Sequence, residues 1–247
     1  MELINAIPAV RDSVVAILRY RIIKPQTVKN GKIIPAEYNV SWGSGFCIVS
    51  DKYIVTAFHI LNEGKPRINT DKFLAFVVPG NGGPAYQFPV IGFLLERKDL
   101  DIAILEIGPC TTPGVNLPAI PVSFANKQDG SRVLTLGFPA PEVLGLNIDH
   151  NGNLIGGNFF LKSHANEGIL SAQYTLGTIL VYEFNVGWHH GESGGPVVGF
   201  DDPIAAFTIM QQYRNIKSPH GIVAGPHRGC ALSSIQTEIQ QLGATIV

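Results

Sequence analysis

Charge is scarce in this chain: Lys, Arg, Asp and Glu supply 15% of its 247 residues, against roughly 25% in soluble domains generally. What charge there is nearly cancels, leaving a formal net of −1 at pH 7. No run of Lys and Arg is long enough to follow a phosphate backbone, so nucleic acid is not an expected partner. Cysteine is scarce as well. Cys47, Cys110 and Cys230 are odd in number and widely spaced, which argues against a disulfide framework and against a Cys-x-x-Cys metal knuckle. Buried free thiols are expected instead. Uncharged apolar runs of the roughly 18 residues that a membrane helix needs are missing, so no membrane partner is expected. The start, MELINAIPAVRDSVVAIL, lacks a basic n-region, and Arg11 and Asp12 interrupt its apolar stretch. It does not read as a signal peptide, and the chain is expected to be a soluble, cytoplasmic protein.

Apolar residues, by contrast, are plentiful: 45% of the chain is hydrophobic, enough for a large core. The 27 Gly and 17 Pro cut the sequence into short segments rich in Val, Ile, Phe and Tyr, the pattern of a sandwich or barrel. Strands are expected at residues 13–22, 44–49, 53–56, 73–78, 88–95 and 102–107. A second set is expected at 132–136, 169–174, 178–184, 196–200, 203–209 and 221–224. Asn30-Gly31 and Asn151-Gly152 are hairpin-turn dipeptides. Helices are expected only at residues 2–11 and 233–242, the second with Ser233 or Ser234 as N-cap and Gly243 as its stop. A stretch rich in Pro and Gly, 108–121, separates the two strand sets.

Three short segments carry chemistry. Gly191-Glu192-Ser193-Gly194-Gly195-Pro196 lies between two strand-like segments. A serine hydroxyl is a weak nucleophile, needing a base beside it and a place for the negative charge it creates. Glycines on either side allow a tight turn that aims backbone N–H groups at one point, so Gly191 and Ser193 would supply an oxyanion hole. Thr56-Ala57-Phe58-His59 ends an apolar strand on an imidazole, the candidate base. In Asp99-Leu100-Asp101-Ile102-Ala103-Ile104-Leu105 a carboxylate enters a run of aliphatics. That is costly unless the carboxylate is hydrogen-bonded, and accepting from an imidazole N–H would meet the cost and fix the tautomer. Asp99 is the competing candidate, placed further from the apolar strand and expected to be solvated.

Together TAFH, DLDIAIL and GESGGPVV, in the order His–Asp–Ser, resemble the chymotrypsin-like (trypsin-fold) serine peptidases, the family that also serves as the general template for this triad. The closer likeness is to the bacterial Deg/HtrA-type branch, through the short N-terminal helix, the Ser-Val-Val-Ala-Ile strand, Asp-Ile-Ala-Ile-Leu and Val133–Pro139 (VLTLGFP). The resemblance implies an all-β fold of two six-stranded antiparallel β-barrels with the active site between them. On that reading the chain divides into an N-terminal helical segment (1–12), a first barrel (13–110), a linker (111–124), a second barrel (125–230) and a C-terminal helix (231–247). No residues are left for a PDZ domain. The implied activity is a serine endopeptidase acting on protein or peptide substrates through an acyl-enzyme, with His59, Asp101 and Ser193 as the triad. No metal or organic cofactor is implied.

Departures from the family pattern carry further expectations. Ile60 follows the histidine where secreted members have a cysteine. Glu192 replaces the aspartate that pairs with a freed N-terminus in trypsin-type zymogens, so activation by clipping is not expected. A constitutively formed site, or loops ordered by an activating protein partner, is expected instead, with residues 185–190 as the switchable loop. Gly187 and Trp188 are placed at the base of the specificity pocket, with 208–211 and 220–222 as its walls, including Thr208, Met210 and Gly221. Thr208 is expected to hold Asp101 by a hydrogen bond, and Met210 to obstruct a deep pocket for Arg or Lys. A small or medium apolar residue before the cleaved bond fits this picture; His189, His190 or His220 would instead favour an acidic one. His189 and His190, adjacent on one segment, would point to opposite faces and so not converge on a metal. An α/β-hydrolase is excluded by the chain order of the three residues. A catalytically silent or partner-activated binding module on the same fold remains the alternative.

Overall fold

The computed structural model describes residues 2–62, 66–149, 151–187, 189–201, 203–218 and 221–247, with the side chains of 33, 81, 212–218 and 221–224 set aside. Helix α1 (Leu3–Arg11) leads into β1 (Val14–Lys24), then the small hairpin of β2 (Thr27–Lys29) and β3 (Lys32–Ile34). Asn30 and Gly31 turn that hairpin with φ of 53° and 71°, the two positive values a type I′ turn requires. There follow β4 (Glu37–Val49), β5 (Tyr53–Thr56), the short helix α2 (Phe58–Asn62), β6 (Lys72–Val77), β7 (Tyr86–Arg97) and β8 (Ile102–Ile107). These close into a six-stranded barrel in the order β1-β4-β5-β8-β7-β6. Strands β1, β6 and β8 read as near-continuous apolar runs and are mostly buried; Val14 through Leu18 are all fully buried.

The second half comprises β9 (Arg132–Gly137), β10 (Glu142–Ile148), β11 (Leu154–Phe160), β12 (His164–Leu176), β13 (Ile179–Asn185), β14 (Pro196–Gly199), β15 (Ala206–Ile209), β16 (Gln212–Ser218) and β17 (Gly221–Cys230). Seven of these form one sheet in the order β15-β14-β9-β12-β13-β17-β16. The sheet curls strongly, until Thr208 on one edge strand bridges Ala231, the residue just past β17. The fold is therefore mostly β, as expected, with one closed barrel and one curled sheet that nearly closes. A 3-10 turn at Leu232–Ile235 and helix α3 (Gln236–Gln241) end the chain. Neither Ser233 nor Ser234 caps α3; burial of Leu232, Ile235 and Ile239 drives this segment against the core.

Two expectations about elements change: α2 (Phe58–Asn62) is a helix beyond the two expected, and one strand is longer than expected. The strand expected at 221–224 runs on to Cys230 in spite of Pro226, because the register against β16 shifts between Asn215↔Ala224 and Tyr213↔His227. A proline, which cannot donate to a ladder, is accommodated at such an irregularity. The segment 149–160, which holds the Asn151-Gly152 turn, makes a tertiary contact as well. With β10 it forms a two-stranded sheet whose turn docks on the first barrel: the buried Tyr20 hydroxyl donates to Gly152 O (3.1 Å) and accepts from the Leu154 N–H (3.2 Å). Cys47 is buried, whereas Cys110 and Cys230 are only partly so, and all three are free thiols.

Candidate active site

Antiparallel pairing brings the first two functional candidates together. Thr56 at the end of β5 pairs with Ala103 at the start of β8, so the residues after one strand lie beside those before the other. His59 sits on α2 and Asp101 in the turn before β8. Asp101 adopts φ of 53°, a left-handed conformation that aspartate tolerates better than most residues. Its carboxylate accepts twice from one residue, from the His59 backbone N–H at Oδ1 (2.9 Å) and from ring Nδ1 at Oδ2 (2.9 Å). A carboxylate acceptor places the imidazole proton on Nδ1 and leaves Nε2 as the basic nitrogen. The ring remains 38% exposed, open to an incoming group. Asp99, the competing candidate, pairs with Arg97 at the surface.

Ser193 arrives from the other half, on the loop between β13 and β14. Two glycines let that loop pass. Gly194 has φ of 85°, and a Cβ there would lie 2.1 Å from Ser44 O and 2.8 Å from Ala57 N. The serine is thus pressed against the β4 and β5 ends, beside the segment that carries His59. Gly191 has φ of 99° and no room for a side chain against Phe138 O. The loop is tied across the cleft by Ser44, whose backbone N–H donates to Ser193 O (2.7 Å). The Ser44 hydroxyl donates to Gly191 O (2.6 Å) and accepts from the Phe138 N–H (2.8 Å).

Peptide geometry fixes the direction of the loop's donors. The His190 carbonyl accepts from the Ala140 N–H (2.7 Å), and the Glu192 carbonyl accepts from the Gly195 N–H (3.0 Å). In a trans peptide the N–H points opposite to the carbonyl. The N–H groups of Gly191 and Ser193 therefore turn the other way, and among the described residues neither has an acceptor. Two unengaged donors beside a hydroxyl are what a developing oxyanion needs. The hydroxyl itself is buried, and it donates to Gln211 O (3.0 Å). With its single proton there, the hydroxyl is not donating to His59 in this arrangement.

The expected specificity residues are scattered. Thr208 is fully buried, and its hydroxyl donates to Cys230 O (2.6 Å); it does not hold Asp101. Met210 is buried in the second-half core with Phe184, Val186 and Phe207, and its backbone accepts from the Gly194 N–H (2.6 Å) and donates to Gly195 O (2.9 Å). Gly221 stands at the tip of the β16–β17 hairpin, opposite Ser218, roughly 20 Å along the strand from its base at about 3.3 Å per residue. At that base, His227 and Arg228 face Tyr213 and Gln212, and burial lowers the pKa of His227. Gly187 and His190 lie exposed on the loop before Ser193. Trp188 and His220 fall outside the described residues.

Ser44 and Asn166 escaped the sequence, and Gln211 was read there only as part of the 208–211 pocket wall. Besides Ser44, the buried Gln211 donates through Nε2 to Leu100 O (2.5 Å) and Asp101 O (3.1 Å) and accepts at Oε1 from the Cys230 N–H (2.9 Å). It fastens the Asp101 turn to the second half. Asn166 on β12 donates to Glu192 (3.0 Å). Ser44 left a trace in the Gly-Ser-Gly of β4, whereas Gln211 and Asn166 stand in no recognisable motif.

Comparison with known proteins bears on the family and the fold. The family model of the trypsin-like peptidase domain matches residues 43–202. A solved structure described as HtrA-type protease AlgW with decapeptide superposes with a TM-score of 0.65 at 16% identity, covering 98% of this chain and 67% of that one. At that identity the likeness is one of fold. No curated protein matches the sequence.

Proposed function

The chain belongs to the trypsin-like peptidase family, and from that premise we propose that it is a serine endopeptidase cleaving protein or peptide substrates through an acyl-enzyme. The observation that carries the reading is the double hydrogen bond from His59 to Asp101, set against a glycine-bounded serine with two outward N–H groups. His59 Nε2 takes the proton of Ser193 as the hydroxyl attacks, then gives it to the leaving amine. Asp101 holds the ring and stabilises its charged form. The Gly191 and Ser193 N–H groups receive the oxyanion, a contribution worth about 100- to 1000-fold in rate per donor in such sites. That a solved relative of similar fold carries a decapeptide supports a peptide substrate here.

One observation favours a second reading, a silent or partner-activated module: the Ser193 hydroxyl rests on Gln211 O rather than on His59. Fluorophosphonate labelling separates the two. The peptidase reading expects one adduct, on Ser193, lost in Ser193→Ala and rising as pH passes roughly 6–7, where imidazole becomes neutral. Absence of any adduct between pH 6 and 9 would overturn it in favour of the module.

A further inference from the structure

Glu192 is the one acidic residue in the serine loop, and it is 3% exposed. A buried carboxylate is unfavourable unless its oxygens accept hydrogen bonds. Here each oxygen has one donor. Oε2 accepts from the His189 backbone N–H (2.7 Å), inside the loop, and Oε1 accepts from Asn166 Nδ2 (3.0 Å), outside it. The first bond folds the loop back on itself, closing His189 to Glu192, with the Glu192 N–H donating to His189 O as well (3.1 Å). The second anchors that folded loop to a strand. Asn166 is itself held by register, opposite Thr135 of β9. Gly137 of β9 lets the loop come this close, since a Cβ there would meet the Glu192 Cα at 2.9 Å.

We propose that Asn166 is a positioning residue for the serine loop: its amide is the external donor that holds Glu192, and with it the outward N–H groups of Gly191 and Ser193. The site is then assembled by the chain's own strand β12, with no freed terminus and no bound partner needed. This rests on the peptidase reading above and adds how that site is kept formed. The surroundings bear on how it responds to pH. Burial raises the Glu192 pKa, opposed by its hydrogen bonds and by nearby His189. His190 shares the loop. On β12, His164 is exposed and Glu167 is engaged with Arg132 of β9.

The test is the rate of fluorophosphonate labelling of the full chain from pH 5.5 to 8.5, with thermal melts to confirm folding. Asn166→Leu removes the donor and is expected to label about 10- to 100-fold more slowly, the range set by leaving a buried acceptor unpaired. Asn166→Asp sets a second carboxylate against the first, and its rate should fall towards high pH where wild type rises. The exchange N166D/E192Q restores a donor and an acceptor in swapped places, and is expected to recover labelling at pH 8 to within a few-fold of wild type. Labelling of wild type with equal rates and pH profiles for all folded variants would overturn the proposal and leave the peptidase reading standing. Recovery absent in the exchange, with N166D folded, would also overturn it. A wild type that never labels would overturn the peptidase reading and this one with it. Should Asn166→Leu fail to fold, N166D and the exchange decide alone.

Discussion

Gln211 shows how much can rest on one uncharged side chain. Its amide satisfies two carbonyls of the Asp101 turn and one N–H of β17, while the backbone carbonyl of the same residue accepts from the Ser193 hydroxyl. Truncation to Ala would leave buried polar groups unpaired on both sides of the cleft, at about 1–3 kcal/mol for such a loss. Gln211→Ala is therefore expected to lower the denaturation midpoint measurably and to slow Ser193 labelling at least 10-fold. Unchanged labelling would show that Asp101 keeps its place without this tie. The His, Asp and Ser candidates were legible in the sequence because each follows or precedes a strand with a short local signature. Gln211 was not, since its contact with Leu100 spans 111 residues and depends on how two sheets meet. The same blindness misplaced the hydrogen bond assigned to Thr208: β15 ends at Ile209, so the residue facing Asp101 lies three positions further on.

Among elements, the β10–β11 hairpin is the clearest case where pattern reading fell short. Asn151-Gly152 gave the turn correctly, but nothing in the residues announced that the turn would sit on Tyr20. That contact pairs a phenol in one half with main-chain groups more than 130 residues away. Burial raises the Tyr20 pKa, so the hydroxyl stays protonated and can donate as well as accept. Tyr20→Phe should cost about 1–2 kcal/mol in urea denaturation, because Gly152 O and the Leu154 N–H lose their shared partner. Labelling of Ser193 should be unaffected, since the hairpin does not touch the serine loop in any described contact. A slower rate in this variant would show that the hairpin acts on the site. Strands with uninterrupted Val, Ile and Leu were read well; those that depend on an irregularity, such as β17 through Pro226, were not.

For the whole molecule, the low charge content makes each buried ion pair count. Asp71 takes hydrogen bonds from both Arg19 and Arg21 of β1 and from the Ile68 N–H. Burial works against its charge, but those bonds hold its pKa down to about 2, from 3.8. A depressed folded-state pKa adds stability that is complete above the unfolded value and disappears as pH falls through the folded one. Denaturation followed by tryptophan fluorescence should therefore show stability declining between pH 4 and 2. Asp71→Asn should be less stable at pH 7 and flatter over that window. An undiminished slope in the variant would place the acid sensitivity elsewhere.

The order in which the chain is synthesised gives the Cys230–Gln211 contact a further meaning. The first barrel, with His59 and Asp101 already paired, can be complete long before Ser193 leaves the ribosome. Even then the backbone carbonyl that accepts from the serine belongs to Gln211, whose side-chain oxygen accepts from the Cys230 N–H, near the end of β17. A growing chain that has passed Ser193 thus holds the His, Asp and Ser side chains before β17 has formed to complete the Gln211 tie between the halves.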